Sequence, residues 1–182
     1  AGTQTDAVTI DGVKYFSNKA IVKDLKENTK YYYQVFQNGK WQDAESYTTK
    51  SFNSFSFLYV GDPQIGASKN QTSTEQEKMV SAGNEVSSSA ADNLAARNDG
   101  YNWNNILNDA IKDHGDVSFI VSAGDQVNAG KNEREYAAYL GADALASLPV
   151  ATTIGNHDSV SNQYTLHFNN PNAFSDTDAN YI

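Results

Sequence analysis

At 182 residues, with 39% hydrophobic and 12% aromatic side chains, the chain can hold one full domain, or one small domain plus part of another, around a real core. A formal charge of -9 sets it against nucleic acid and anionic membrane surfaces as partners, since either would repel it within a Debye length. No run approaches the roughly 18 apolar residues of a membrane span, the start AGTQTDAVTI lacks the regions of a signal peptide, and the absence of cysteine removes disulfides, thiolate catalysis and cysteine metal sites together.

Residues 1 to about 50 carry period-two patterns: AVTI, KAIVKDL, YYYQVF and, after a turn at NGK, ESYTTK. Each predicts an antiparallel strand. In YYYQVF the alternation puts Tyr31, Tyr33 and Val35 on one face and Tyr32, Gln34 and Phe36 on the other. Asn38-Gly39 predicts a tight hairpin, because both residues tolerate positive φ. The segment LKENTKYYYQV, with Leu25, Thr29 and Tyr31, resembles the tyrosine corner of fibronectin type III sandwiches. Such a sandwich needs about seven strands and fewer are legible, so the expectation for residues 1–50 is part of an all-β sandwich.

After the linker KSFNS the texture changes, and residues 54–182 read as a second unit in which strands alternate with helices. FSFLYV (55–60), VSFIVSA (117–123) and VATTI (150–154) are apolar runs suited to strands covered on both faces. Between the first two, Trp103, Ile106, Leu107, Ala110 and Ile111 share one helical face, and in EREYAAYLGADALASL so do Tyr136, Tyr139, Leu140 and Leu145. This order predicts an α/β unit with a largely parallel sheet. Residues 67 to about 100 read as a loop insertion with one helix near STEQEKMVSA.

The three runs end alike, at Gly61-Asp62-Pro63-Gln64, Gly124-Asp125-Gln126-Val127-Asn128 and Gly155-Asn156-His157-Asp158. Ligands of open α/β sheets sit at the carboxyl ends of the strands, so these clusters are expected to face one crevice, with the glycines allowing sharp turns and close approach. Carboxylates converging there repel and lose hydration unless compensated, and bound cations are the simplest compensation. Oxygen donors with imidazole suit Mg, Mn, Zn or Fe. Taken singly, Asp62 or Asp125 reads more readily as a helix N-cap than as a ligand. His114 reads as a cation at a helix C-terminus, His167 as loop packing or pocket rim, and Glu133 to Glu135 as a solvated helix face.

At these residues the sequence resembles the calcineurin-like metallophosphoesterases, and among them the branch similar to purple acid phosphatases with a fibronectin-like domain in front. The likeness covers essentially the whole chain. It implies that Asp62 holds one metal ion, Asp125 bridges two, and Asn156 holds the second through its side-chain oxygen. His157 contacts the phosphate or assists the leaving group, and Asp158 orients it. The activity implied is acid phosphatase-like hydrolysis of a phosphorylated small molecule or nucleotide, with hydroxide generated at two divalent or trivalent ions (Fe, Zn, Mn or Mg) attacking phosphorus in line. Two positions depart from the pattern. Gln64 stands where many relatives have histidine, and either ligates through its amide oxygen or shapes the loop; Asn128 stands where the purple enzymes have their tyrosine ligand. The later histidines ending in GHxH are not present after GNHD, so the chain reads as a fragment whose C-terminal half is a missing partner, with weak metal binding and little turnover on its own. The resemblance also points to an extracellular or cell-surface location. The alternative is a non-catalytic cell-surface adhesion protein on a degenerate phosphoesterase scaffold.

Overall fold

The computed structural model describes residues 2–10, 12–70 and 91–170, and the helix expected near STEQEKMVSA lies outside them. The N-terminal strands are β1 (Thr3–Gln4), β2 (Val8–Ile10), β3 (Val13–Tyr15), β4 (Asn18–Lys19), β5 (Lys30–Tyr33), β6 (Phe36–Gln37), β7 (Lys40–Trp41) and β8 (Glu45–Thr48). They pair antiparallel as β1 with β4, β2 with β3, β5 with β8, and β6 with β7, each a separate two-stranded sheet. The Asn38-Gly39 hairpin forms as expected, with φ of 54° and 77°. The Lys26 N–H donates to the Tyr31 hydroxyl at 2.8 Å. KAIVKDL, by contrast, is no strand beyond Lys19, and Ile21 and Val22 are exposed. Alternation makes a strand only when a neighbour takes up the backbone groups, and none of the described strands pairs there.

The three apolar runs become β9 (Ser56–Val60), β10 (Val117–Ser122) and β11 (Val150–Thr152), which form a parallel sheet in the order β11-β10-β9. Side chains alternate across it. Leu58, Val60, Ile120 and Val150 turn to the core, where they meet α1 (Ala91–Asp113) and α2 (Glu133–Leu140). The opposite face corrects the expectation of cover on both sides. Tyr59 is 71% exposed, and Phe57, also exposed, stacks flat on Phe119 at 5.3 Å. Among the described residues the helices pack on one face only.

α1 begins inside the stretch expected to be a loop. Its first turns carry small side chains that resemble loop composition, yet Ala95 and Ala96 are buried and Gly100 lies against Ala138 of α2. Small residues here permit close helix packing. Further along, Trp103 stacks on Tyr139 at 5.3 Å and donates from Nε1 to the Tyr139 carbonyl at 3.2 Å. Tyr136, Tyr139, Leu107 and Ile120 are fully buried around this contact. α2 starts at Asn132, whose side chain accepts the Arg134 N–H at 3.1 Å, an N-cap that satisfies one orphan donor.

The last described helix, α3 (Gln163–His167), lies in a segment read as a loop. Its C-terminal carbonyls are capped from the N-terminal part: Lys19 Nζ donates to the Thr165 carbonyl at 2.8 Å and to that of Phe168 at 3.4 Å. A cation at a helix C-terminus is favoured by both the unpaired carbonyls and the dipole. Tyr33 adds a second tie, donating to the Ala146 carbonyl at 2.6 Å. No described helix is long and apolar enough to cross a membrane.

Leu107 and Ile106 are adjacent, but Leu107 is fully buried while Ile106, expected on the same apolar face, is 60% exposed at its margin. Leu107→Ala is therefore expected to cost about 2–5 kcal/mol. Ile106→Ala should stay within about 0.5 kcal/mol of the parent. Urea unfolding of the two variants checks the contrast.

Candidate metal centre

The three strand exits are stitched together by hydrogen bonds. Gln64 N–H donates to the Asp125 carbonyl at 2.8 Å, Ile65 N–H to that of Gln126 at 3.2 Å, and Asn128 N–H back to that of Ile65 at 2.9 Å. The first and second exits thus continue the parallel pairing of β9 and β10, with a further bridge between Ile65 and Val127. The second and third exits are joined by side chains. Asp125 Oδ1 accepts the His157 N–H at 2.9 Å. In the other direction, Asp158 accepts the N–H groups of Gln126 and Val127, each at 3.3 Å, and that of Gly155 at 2.9 Å.

Asp62, Gln64 and Asp125 all have left-handed backbones, with φ of 54°, 39° and 47°. Non-glycine residues held there cost of order 1–3 kcal/mol each, a strain that clusters at functional sites. Close approach explains Gly155: a Cβ there would collide with Asp125 Oδ1, so only glycine lets the carboxylate lie across the GNHD turn. Gly61 differs from the expectation, since a Cβ on it would meet Ala123 at an ordinary 3.8 Å.

His157 takes part in a network that fixes its tautomer. Its Nδ1 lies 2.6 Å from the Asn128 carbonyl, which can only accept, so Nδ1 carries the proton. Nε2 is then the acceptor, and Gln64 Nε2 donates to it at 2.9 Å while also reaching Asn128 Oδ1 at 3.3 Å. The ring is therefore oriented by Asn128, not by Asp158 as expected. Both oxygens of Asp158 are spent on backbone N–H groups, and the residue is fully buried. Burial raises its pKa above the ordinary carboxylate value; the three N–H bonds offset this in part, and the charge of Asp125 adds to it.

Asp62 and Asn156 are exposed and Asp125 half-buried. Neither carboxylate has a lysine or arginine partner among the described residues. Uncompensated oxygen donors of this kind suit a hard cation. The donor set is incomplete as a cage, because no three His, Cys, Asp or Glu side chains gather among the described residues. Asp62, Asp125 and the amide oxygen of Asn156 are oxygen donors of the kind that suits a hard metal ion. Gln64 is drawn instead to His157 through its amide nitrogen, with its oxygen left over.

One other expectation is corrected nearby. Glu133 to Glu135 is not a solvated face: Glu135 is 2% exposed, and Glu133 pairs with His167 at 2.9 Å. His167 stacks on Tyr136 at 4.4 Å, a packing role, while His114 is exposed just beyond α1. Glu135 was missed although Asn132 and Glu135 have the spacing of a capping box.

A family model for calcineurin-like phosphoesterases matches residues 55–181, the stretch that carries all three strand exits. The chain belongs to the calcineurin-like phosphoesterase family, whose members hydrolyse phosphoesters with a dinuclear metal centre. No curated protein and no solved structure matches it.

Asp158→Asn tests the structural role of that carboxylate. The substitution puts an N–H donor where Asp158 accepts, and each backbone donor left unpaired costs roughly 1–3 kcal/mol. The raised pKa means that the folded chain keeps this proton where the unfolded chain has lost it. The stability this confers is full below the ordinary carboxylate value and is lost as pH rises through the folded value. Denaturant midpoints against pH are expected to be lower throughout for the variant and to lose that slope.

Proposed function

We propose that the chain is the metal-binding part of a phosphomonoesterase of the purple acid phosphatase-like branch, with residues 1–50 derived from a fibronectin type III-like sandwich and residues 54–182 forming the phosphoesterase unit. The observation that carries this reading is the Asp125 contact: its carboxylate lies against Gly155 and accepts the His157 N–H at 2.9 Å, so the second and third exits meet at a negative centre. The tyrosine-corner bond between Lys26 and Tyr31 supports the N-terminal assignment. Family membership favours hydrolysis over adhesion.

In this reading Asp62, Asp125 and Asn156 would hold the metal ions. Metal ions bound there supply the positive charge that a phosphate dianion requires and the acidity that turns water into a nucleophile. His157 is the group that faces the substrate. Its Nε2 is the atom able to pass a proton to the leaving oxygen, because Nδ1 is committed to the Asn128 carbonyl. Once Nε2 is protonated it can no longer accept from Gln64 Nε2, now 2.9 Å away, so the Gln64 amide must turn its oxygen inward or withdraw. Gln64 thus works as a partner to His157 rather than as a metal ligand. Beside Gln64 a groove of about 240 Å³ runs past Pro63, Asp99, Asn102 and Ile106 and has no cationic side chain among the described residues of its wall. It suits the alcohol part of the ester rather than the phosphate.

Metal analysis together with p-nitrophenyl phosphate hydrolysis, both on the full-length protein, tests the assignment. Asp125→Ala and Asn156→Ala are expected to lose metal and activity together. His157→Ala should keep its metal while kcat falls about 10²–10⁴-fold, the usual weight of a general acid. An Asn156→Ala protein that retains full metal content and full rate would refute the ligand assignment.

A further inference from the structure

The peptide group joining Asn128 to Ala129 is gripped at both ends. Its carbonyl takes the Nδ1 proton of His157 at 2.6 Å, and its N–H donates at 2.6 Å to Glu135 Oε2. A buried carboxylate therefore stands one peptide away from the imidazole, where a carboxylate in direct contact was expected from Asp158. The carboxylate is itself held still. Its other oxygen accepts from Asn132 Nδ2 at 2.9 Å, it is 2% exposed, and the Gly66 backbone presses so closely on it that any Cβ there would collide with Oε1.

We propose that Glu135 is a positioning residue for His157, acting through the Asn128–Ala129 peptide. Negative charge at Oε2 draws on the Ala129 N–H, which makes the Asn128 carbonyl a stronger acceptor. Chains of this kind strengthen each bond by roughly 10–30%. The result is an imidazole fixed in the Nδ1–H tautomer, with Nε2 presented to whatever occupies the crevice. The relay also answers an electrostatic constraint. Asp62 and Asp125 already bring negative charge to the strand exits, and a third carboxylate bonded directly to His157 would add to their repulsion. Placing it behind a peptide group keeps the orientation and removes the charge to a greater distance.

The relay bears on catalysis through the role proposed above for His157, but the relay itself is read from the imidazole by nitrogen and proton NMR. In the unmutated chain, His157 is expected to show a protonated Nδ1 and an unprotonated Nε2, with a scalar coupling from Nδ1 to the Asn128 carbonyl carbon. Glu135→Gln keeps size and shape but removes the charge. Its His157 Nδ1–H resonance is expected to move upfield and to exchange faster with water, while the backbone resonances of Leu107 and Tyr139 stay in place. A folded Glu135→Gln protein with an unchanged His157 Nδ1–H resonance and exchange rate would overturn the relay. So would absence of the coupling in the unmutated chain, a measurement that decides the matter even where the variant does not fold. If His157→Ala leaves hydrolysis intact, the proposed catalytic role falls while the NMR result stands, so the two failures are distinguishable.

Discussion

The arrangement depends on two carboxylates that exchange places. Asp125, from the second strand exit, takes the amide of His157 in the third; Asp158, from the third, takes the amides of Gln126 and Val127 in the second. Each loop is thus closed by the other's side chain, and a turn that moved alone would strand buried N–H donors. The exchange holds Asn156 between two residues that both touch Asp125, and it makes glycine obligatory at position 155. Because the bonds run from loop to loop above a parallel sheet, the strand ends transmit their spacing directly to the candidate ligands.

The acidic residues of this region divide by what they face. Asp62 and Asp125 have no cationic side chain beside them among the described residues, and that is the situation in which an oxygen donor gains most from an ion. Asp158 and Glu135 are buried, and each is saturated with N–H donors. The same chemical group serves attraction for a cation in one pair and backbone architecture in the other. Burial and hydrogen bonding decide between these roles, since a buried carboxylate without donors would be protonated or expelled.

The three parallel strands and their glycine-led exits were legible, because they are written in local period and in turn chemistry. The Asn38-Gly39 hairpin was legible for the same reason. What escaped was decided by tertiary neighbours. The start of α1 resembled a loop because Ala95, Ala96 and Gly100 carry little hydrophobic signal, yet smallness is what lets two helices touch. Asp158 follows His157 in sequence and so was paired with it, but its carboxylate is turned toward the second exit. The group that does hold the ring is a main-chain carbonyl, and no residue type advertises that. Glu135 lay in an apparently ordinary charged run, and only the fold carries it under Gly66.

Lys19 joins these local devices to the whole. By chain texture it belongs to the N-terminal strands, but its ammonium closes the end of α3, beyond the GNHD turn. The linker near residue 50 is therefore a boundary in composition and not in covering. A chain cut there would expose the carbonyls of α3 and release the segment that packs His167 on Tyr136. In this molecule the unit that can be separated from its neighbour without loss is larger than the unit that composition marks out.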